Sequence, residues 1–403
     1  MTGHHLIKKL GQWEGYRVGT VGPAKNGREF WVELIPEAGH GTCDGCGQQC
    51  SSVHETVRRW IRDLPVFDKT ARLLVHRRRL LCPRCGPKLE RISWLDRYSR
   101  HTTRLVESVA RLCDVMSIKH VAEYFSLSWS TVKDIHKRHL KKKLGPVDLS
   151  NVELLAMDEF AIQKGHRYAT VIIDPTCKKV LWVGRGRSRA SIRPFFEMLG
   201  DRCEDIKAVA MDMNASFEQE VERHCPQAEI VYDLFHVVAK YGREVIDRVR
   251  VDQANRLRDD KPARRVIKGS RWLLLRNREN IEKPEDLVRL DELLEANESL
   301  MTTYVMKDDL KLLWNLSDRT SAESCWGQWL DRAMQSGIEP LMKFAKRLSK
   351  YAAGIIAHSR WPLHTSLLEG INNKIKTIKR QAYGYRDDEY FFLRIRAAFP
   401  GIP

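Results

Sequence analysis

Two short apolar runs, each leading into an aspartate, constrain this chain more than any other feature. Val152–Phe160 has the sequence VELLAMDEF and Ile206–Met213 has IKAVAMDM, so the two runs carry Asp158 and Asp212. Continuous apolar runs of this length are typical of strands buried on both faces. In open α/β sheets, ligands and metals gather at the carboxyl ends of such strands. A buried carboxylate also requires a cation or a donor nearby. The alternative is that each aspartate caps the element that follows it.

Charge is distributed unevenly along the 403 residues. Residues 1–145 contain 27 Lys and Arg but only 14 Asp and Glu, whereas the remainder contains 42 and 38. Clustered cations of this kind favour a nucleic-acid partner, because they neutralise phosphates. The alternative is a basic surface that serves only solubility.

The sequence contains no obvious membrane or targeting segment. No apolar run approaches the roughly 18 residues that span a bilayer. The first 18 residues, MTGHHLIKKLGQWEGYRV, have no apolar core of signal-peptide length. We therefore expect a cytoplasmic, nucleoid-associated protein with no membrane partner. Ten cysteines in such a chain favour reduced thiols or metal ligands over a disulfide framework.

Two CxxC motifs, each followed by glycine, predict a structural zinc site. The first is Cys43-Asp-Gly-Cys46 and the second is Cys82-Pro-Arg-Cys85. Glycine after each motif lets the backbone turn so that its N–H groups face the thiolates. Cys50 and His54 lie close to the first motif and are rival ligands.

Strands of a small β module are expected between the two motifs, in VHETVRRWIRDLP and ARLLVHRRRLL. The run His76-Arg77-Arg78-Arg79 lies beside the predicted zinc site. It is either a phosphate contact or a solvated strand end.

The periodicity changes to that of helices at residues 104–142. RLVESVARLCDVM, SIKHVAEYF and SWSTVKDIHKRHLKKK predict three helices, the last with Ser128 as N-cap. Ala122, Leu127 and Val132 fit a helix-turn-helix, although Ser126 occupies the turn position usually held by glycine. The residues expected to meet DNA on the third helix are Ser130, Thr131, Lys133 and Lys137. A helical hairpin with no DNA role is the alternative.

After a linker at Leu144–Asp148, the order of elements predicts a ribonuclease-H-like α/β core. The strand that carries Asp158 precedes RYATVIID and KKVLWVGRG, a hairpin turned at Asp174-Pro175. Helix, strand, helix and strand then follow, which gives β-β-β-α-β-α-β. In that topology the first and fourth strands are neighbours, so Asp158 and Asp212 meet at one edge. Glu159 points to the opposite face and is a poorer candidate.

Residues 240–360 are expected to be helical. Their tryptophans, Trp272, Trp314, Trp326 and Trp329, are more typical of a core than of ligand stacking. The helix predicted within Leu367–Tyr385 has an apolar side at Ile371, Ile375, Ile378 and Ala382. Its opposite side has one acid and then an amide and two cations, which suits a metal ligand beside a phosphate path: Glu369, Asn373, Lys376 and Arg380. Lys379 of the same helix is also expected to contact DNA.

The chain resembles the DDE transposases of the insertion-sequence L-three (ISL-three) family over nearly its whole length. The resemblance is carried by the paired CxxCG motifs, Arg62-Asp-Leu-Pro, the helix-turn-helix, MDEFAIQKGHRYAT, YDLFHVV and LEGINNKIKTIKRQAYGYRD. It implies that Asp158, Asp212 and Glu369 form the acid triad that holds two Mg²⁺ (or Mn²⁺) ions. Related transposases with a helical insertion carry a C/DxxH at the position of Asp233 and His236. The resemblance thus implies an auxiliary role for this pair. The alternative is that Asp233 is an N-cap and His236 a core residue.

The resemblance implies an enzyme that moves its own insertion sequence by metal-dependent strand cleavage and strand transfer. Its DNA partners would be the terminal inverted repeats and target DNA, bound as a homodimer. A non-catalytic regulator derived from a transposase is the alternative, and a structure-specific nuclease is a third option. The expected domains are a zinc-binding β module at 1–98, a helix-turn-helix at 99–145, a first part of the core at 150–238, a helical insertion at 239–360, and the final core helix at 361–403.

Overall fold

The computed structural model describes residues 7, 9, 11–24, 27–163, 165, 167–363 and 366–402. Residues 1–6, part of the segment examined for a targeting sequence, and residues 164 and 166 of the MDEFAIQKGHRYAT motif lie outside that set. The chain divides into two compact units, residues 1–145 with 380–385 and residues 146–379 with 386–403. Within the described part, no helix has the length and apolarity needed to cross a membrane.

A five-stranded sheet forms the first part of the first unit. Its strands are β1 (Tyr16–Pro23), β2 (Glu29–Pro36), β5 (Val53–Arg62), β6 (Thr70–Cys82) and β7 (Gly86–Leu89). Their order is β1-β2-β6-β5, and β7 pairs with the end of β6. Two short strands, β3 (Gly41–Thr42) and β4 (Gln49–Cys50), pair beside the first CxxC motif. The predicted strands on either side of Pro65 are thus β5 and β6, which pair antiparallel.

Strand β6 changes the face that it buries, and this change explains two buried arginines. Up to residue 77 its odd-numbered side chains, such as Leu73 and Val75, enter the main core of the sheet. From residue 78 its even-numbered side chains are buried instead, and Leu80 packs with the cysteines. Consecutive residues of a strand point to opposite faces. A residue on each side of this change is therefore buried, namely Arg77 and Arg78.

The prediction that Arg77 and Arg78 contact phosphate is wrong. Arg78 is 7% exposed and donates from Nε to Glu90 at 2.8 Å and from Nη1 to the Ala38 carbonyl at 2.7 Å. Arg77 is only 4% exposed. A guanidinium buried inside the module, as those of Arg77 and Arg78 both are, is not available to DNA. Arg79 is exposed, as a phosphate contact requires, and pairs with Glu55 at 2.9 Å.

Three helices complete the first unit, and they are α1 (Thr103–Val115), α2 (Ile118–Phe125) and α3 (Trp129–Leu144). Ser128 caps α3 by accepting from the Thr131 N–H, as predicted. Ala122 and Val132 are buried in the shared core of the three helices. Ser126 has φ +50°, the left-handed conformation that glycine adopts most easily. The turn therefore keeps its geometry without glycine, at a cost in strain.

Asp63 joins the sheet to the helices of the first unit. Its carboxylate is 1% exposed and accepts from Trp13 Nε1 at 3.0 Å and from the Thr102 hydroxyl at 2.7 Å. Arg104 forms an ion pair with the same carboxylate. The neighbouring Arg62 donates from Nη2 to the Phe125 carbonyl at 2.8 Å. The Arg62-Asp-Leu-Pro motif is therefore an internal connection of this unit.

The second unit is built on a five-stranded sheet of order β10-β9-β8-β11-β12. The strands are β8 (Leu154–Gln163), β9 (Arg167–Asp174), β10 (Lys179–Arg185), β11 (Ala208–Met211) and β12 (Glu229–Tyr232). The first three are antiparallel, while β11 is parallel to both β8 and β12. The predicted neighbours β8 and β11 are therefore adjacent.

Helices surround this sheet and continue from it into the predicted insertion. Helices α4 (Arg189–Leu199) and α5 (Ala215–His224) alternate with strands, and α6 (Leu234–Tyr241) follows β12. The helices of the insertion are α7 (Asp247–Arg256), α8 (Lys261–Gly269), α9 (Arg271–Leu275), α10 (Pro284–Glu295), α11 (Glu298–Leu312), α12 (Arg319–Gln335), α13 (Glu339–Leu348) and α14 (Ala352–Ile356). The last two are α15 (Ser366–Gln381) and α16 (Asp388–Ala398). One continuous hydrophobic core includes both sheet residues such as Leu155 and insertion residues such as Trp329.

Candidate functional site

Four thiols lie together in the first unit. The Sγ atoms of Cys43, Cys46, Cys82 and Cys85 are all within 4.8 Å of one another. Cys46 and Cys82 are 3.5 Å apart, close to the roughly 3.8 Å edge of a tetrahedron with zinc–sulfur bonds of about 2.3 Å. The Gly45 N–H donates to the Cys43 sulfur at 3.4 Å. Burial opposes ionisation of the Cys82 thiol, but backbone N–H groups lower its pKa to about 6. This donor set fits a structural zinc ion.

The rival ligands are arranged differently. Cys50 is buried beside the cluster, but its Sγ points to the Gln48 carbonyl at 3.6 Å. His54 is exposed on β5. The geometry therefore favours the four cysteines of the two CxxC motifs.

Asp158 lies within β8, and the prediction that its strand ends there is wrong. Strand β8 continues to Gln163, but its parallel neighbour β11 pairs only with Leu154–Ala156. The edge of β8 beyond Ala156 is consequently open on that side. Burial and the charge of Asp212 raise the pKa of Asp158 to about 7. Two carboxylates that repel each other in a half-buried site need a cation to ionise fully.

Asp212 follows β11 directly, as predicted, and pairs with His236 through Nδ1. Oxygen and nitrogen atoms of Asp212, Asp233 and His236 all lie within 4.8 Å of one another. Asp233 also caps α6 by accepting from the Phe235 N–H at 2.9 Å. Burial opposes protonation of His236, but the two carboxylates outweigh it and raise its pKa. Asp233 follows β12, the parallel neighbour of β11, and this pairing places Asp233 beside Asp212.

Helix α15 supplies the remaining predicted acid. Its buried side is the predicted one, with Ile371, Ile375 and Ile378 each at most 4% exposed. Glu369 is exposed and lines the same cleft as Asp158. Asn372, one turn further on, donates from Nδ2 to Asp158 Oδ2 at 2.5 Å. This bond joins the helix to the sheet at the carboxylates.

Sequence reasoning missed Asn372, which is 9% exposed. Its side-chain oxygen is buried and has no hydrogen-bond partner within the described part of the chain. The signal was present, because residues three apart share a helix face and Asn372 follows Glu369 at that spacing. Glu159 lies on the other face of β8 and pairs with Arg187 at 2.7 Å, as its poorer ranking predicted.

Strand β8, which carries Asp158, and helix α15, which carries Glu369, border a cleft of about 990 Å³ inside the second unit. Residues of the predicted insertion, among them Trp272 and Lys307, also line this cleft. Cationic and aromatic side chains share this lining: Phe235, Arg243, Trp272, Arg276, Lys307, Lys311 and Lys376. A cleft lined by acids and cations together can receive a phosphodiester with metal ions.

The other predicted DNA contacts differ in their exposure and in their bonds within the chain. Ser130, Asn373, Lys376 and Arg380 are exposed, while Lys133 and Lys137 are half-buried. Lys376 donates to Asn373 at 3.3 Å. Two side chains are engaged within the chain, since the Thr131 hydroxyl bonds Ser128 at 2.7 Å and Lys379 donates to the Ala161 carbonyl at 3.1 Å. The sequence also missed Trp129, which is 54% exposed at the start of α3.

Three family models match separate stretches of the chain. The transposase family of the DDE type and ISL3 group matches residues 155–395. The helix-turn-helix domain of transposase family ISL3 matches residues 90–140. The zinc finger of transposase IS204/IS1001/IS1096/IS1165 matches residues 40–85. The three matched stretches contain the carboxylate cleft, the three-helix segment and the thiol cluster.

Two relatives extend this similarity. The chain is 55% identical over 404 residues to the transposase for insertion sequence element IS1001 from Bordetella parapertussis, which covers 100% of this chain and 99% of the relative. It is 26% identical over 372 residues to the transposase for insertion sequence element IS1557 from Mycobacterium tuberculosis, covering 86% of this chain and 83% of that one.

Proposed function

Because the chain belongs to the ISL3 family of DDE transposases, we propose that it moves its own insertion sequence with the carboxylates Asp158, Asp212 and Glu369. It is a transposase, an enzyme that cleaves DNA and transfers the cut strand. The observation that carries the residue assignment is that Asp158 and Glu369 line one cleft, while Asp212 is close enough to Asp158 to raise its pKa. The order β10-β9-β8-β11-β12 supports a ribonuclease-H-like core.

The three carboxylates would hold two Mg²⁺ or Mn²⁺ ions, which when bound activate a water or 3′-hydroxyl and stabilise the leaving 3′ oxygen. The repulsion between Asp158 and Asp212 and the unpartnered oxygen of Asn372 support a cation at this place. Asn372 orients Asp158, and His236 orients Asp212. Lys376 lies one helical turn from Asn372 and meets the phosphate.

The first unit recognises the DNA in this proposal. A zinc ion on Cys43, Cys46, Cys82 and Cys85 holds the β module, and α3 reads the terminal inverted repeats through Ser130 and Lys133 with Arg79 on phosphate. The exposure of Ser130 and Arg79 and the net positive charge of residues 1–145 support the assignment. Two copies act together on the two ends of the element at the nucleoid in the cytoplasm, and target DNA enters afterwards.

The rival function, a DNA-binding regulator without catalysis, is not favoured. A regulator would have no need of a complete set of carboxylates facing a cationic cleft. Identity of 55% to a transposase over the full chain also opposes it.

Strand cleavage tests the proposal. Full-length protein is incubated with a duplex that carries one end of the element, with Mg²⁺, with Mn²⁺ and without divalent ions. We expect nicking at the 3′ end of the element only with a divalent ion. Asp212→Asn and Glu369→Gln should each lower the rate by about a thousandfold or more, because loss of a ligand removes several kcal/mol of charge stabilisation. Asp201→Asn, an exposed acid outside the cleft, is the matched control.

Two results would overturn the assignment. Cleavage by the wild type without any divalent ion would exclude the metal mechanism. Near-normal cleavage by either carboxylate variant would remove that residue from the set.

The role of His236 needs a separate measurement. Its side chain is 36% exposed and pairs with Asp212, so truncation should change the melting temperature little. We expect His236→Ala to slow cleavage by about 10–100-fold, the cost of a lost partner of a metal ligand. If the variant melts much earlier and its folded fraction cleaves normally, His236 serves the fold and not the reaction.

A further inference from the structure

Strand β5 lies at one edge of the sheet of the first unit, and most of that edge is open. In the order β1-β2-β6-β5 it comes last, beside β6. Every residue from Val53 to Trp60 is exposed. The far end of the edge is closed, because the Arg62 N–H donates to the Arg100 carbonyl at 2.8 Å and the Thr102 N–H donates to the Arg62 carbonyl at 3.0 Å. An open strand edge is a template for pairing with another strand.

The closed end shows which backbone groups the open edge presents. Arg62 directs its N–H and its carbonyl away from β6, and these directions alternate along a strand. Thr56, Arg58 and Trp60 therefore also direct their backbone groups outward, while the residues between them bond to β6. Regular pairing with β6 is interrupted between Val53 and Glu55. The open segment thus lies between this irregularity and Arg62.

Side-chain charges select one way in which this segment can pair with a copy of itself. Opposite residues of an antiparallel pair share a face, so a twofold axis must pass through a residue. With the axis at Val57, Glu55 of each copy lies opposite Arg59 of the other. An axis at Thr56 would place Glu55 opposite Val57, and an axis at Arg58 would place the two Arg58 side chains against each other. Charge complementarity therefore favours the axis at Val57.

The side chains at this centre are available for such a pairing. Arg59 is exposed and forms no hydrogen bond or ion pair within the described part of the chain. The Glu55 side chain is 44% exposed while it pairs with Arg79 at 2.9 Å, so it can receive a second cation. Val57 lies between them on the same face and is 46% exposed. Two Val57 side chains at the axis would bury each other between two charge pairs.

A DNA backbone is the other partner that the arginines of β5 could meet. The acid Glu55 near the centre of the segment opposes a phosphate chain, and the exposed side chains of Val57 and Trp60 do not match one. Outward backbone N–H and carbonyl groups together match another strand. These features favour a second copy of the chain.

We propose that two copies of the chain associate through β5, antiparallel about Val57, so that their sheets become continuous. Thr56 of each copy then exchanges backbone hydrogen bonds with Arg58 of the other. This inference rests on the part of the proposed function in which two copies act together, and it names the surface at which they meet. The dimer holds two helix-turn-helix segments, one for each end of the element.

Exchange of charges between two molecules tests the inference. Full-length protein without DNA is sedimented at concentrations up to about 100 µM, because a single strand pair forms a small interface with micromolar affinity. Glu55→Arg places like charges opposite each other in a homodimer, and so does Arg59→Glu. Each variant should therefore raise the dissociation constant by about tenfold to a hundredfold. An equimolar mixture of the two variants should recover the dimer, because opposite charges then face each other at both positions.

Asp68→Arg is the matched control, since it makes the same change of charge at an exposed position in the turn after β5. Melting curves verify that each variant is folded. A wild type that stays monomeric up to about 100 µM would overturn the inference. Dimers of Glu55→Arg or Arg59→Glu as stable as the wild type would overturn it too, because the contact would then lie elsewhere.

The mixture separates an interface from a role within one chain. Loss of the pair between Glu55 and Arg79 cannot be repaired by a second molecule, so a mixture that stays monomeric would exclude this register and overturn the inference. A monomeric wild type whose affinity for DNA falls in Arg59→Glu would instead make β5 a DNA surface. Sedimentation requires neither metal nor cleavage. Failure of the wild type to cleave with Mg²⁺ would therefore refute the catalytic proposal and leave this result standing.

Discussion

The thiol cluster and the carboxylate cleft are both candidate metal sites, and they are built in opposite ways. The four cysteines lie within residues 43–85, on two turns of one small module. The three acids extend from residue 158 to residue 369 and come from two strands and a distant helix. Two of the acids are supported by a second side chain, Asp158 by Asn372 and Asp212 by His236.

The thiol cluster, when it holds a metal, helps its own module to fold. The carboxylates instead repel each other, and the fold of the second unit holds them together. The β module has a small core, and a metal bound by four thiolates contributes directly to its folding. The second unit has a large continuous core that holds Asp158 near Asp212 despite their mutual repulsion. Metal loss should therefore unfold the first site and relax the second.

The largest expected effect is on the thiol cluster. Cys82→Ser should abolish zinc binding and unfold the module, since a structural zinc ion contributes about 10 kcal/mol or more to small domains. The second unit should retain its own melting transition. Metal analysis and limited proteolysis measure both outcomes, with Cys50→Ser as the control that keeps the metal. Full zinc content in Cys82→Ser would contradict the ligand assignment and return Cys50 and His54 to consideration.

Glu220 provides the next comparison with the carboxylates of the cleft, because it is a carboxylate paired with arginines of the same unit. Glu220 is fully buried on α5 and pairs with Arg189 at 2.9 Å and Arg193 at 3.0 Å. Arg193 foremost, with Arg189, lowers the pKa of Glu220 to about 2. Glu220→Gln should lower the free energy of unfolding at neutral pH by about 2–3 kcal/mol, because two buried arginine contacts lose the negative charge of their partner and one of its two acceptor oxygens.

The pH dependence follows from the sign of that shift. A pKa of about 2 in the folded state, below the ordinary 4.5, means that Glu220 stabilises the protein above pH 4.5 and ceases to do so as the pH falls towards 2. Denaturation at several pH values should therefore bring the wild type and Glu220→Gln together at low pH. A constant difference between pH 7 and pH 2.5 would show that packing and not charge is responsible.

Asp158→Asn should change stability in the opposite direction. The variant removes one of two repelling charges, and its single side-chain oxygen still accepts from Asn372 while the bond from the Glu159 N–H is lost. We expect the metal-free protein to gain about 1–2 kcal/mol. Added Mg²⁺ should raise the melting temperature of the wild type but not of the variant. Destabilisation of the metal-free variant would show that Asp158 is supported by cations within the fold.

The smallest effect is expected at the turn between α2 and α3. Ser126 has φ +50°, and glycine adopts this conformation without strain. Ser126→Gly should raise the free energy of unfolding of the first unit by about 0.5 kcal/mol, after the entropy that glycine loses is subtracted. Thermal melting measures it, and Ser126→Ala is the comparison that keeps the strain. Equal stability of the glycine and alanine variants would show that the turn is not strained.

Particular residues mark how far sequence reasoning extends. The helix boundaries near Ser128 and the buried side of α15 were predictable, since caps and helical periodicity are local properties. The burial of Arg77 and Arg78 was not predictable from the sequence. It depends on the point along β6 at which the buried face of the strand changes from one core to the other. The sequence also did not show that β8 continues beyond Asp158 with one edge unpaired. That edge is unpaired because β11 is short and pairs only with Leu154–Ala156.

The sequence by itself determined the two CxxC motifs, the order of strands and helices, and the family of the chain. These follow from spacing and periodicity, which act over a few residues at a time. Tertiary structure alone decided that Asn372 bonds Asp158, that His236 and Asp233 join Asp212, and that Trp272 faces the cleft while the other insertion tryptophans are buried. Such contacts join residues far apart in the chain, and their geometry depends on how the whole core packs.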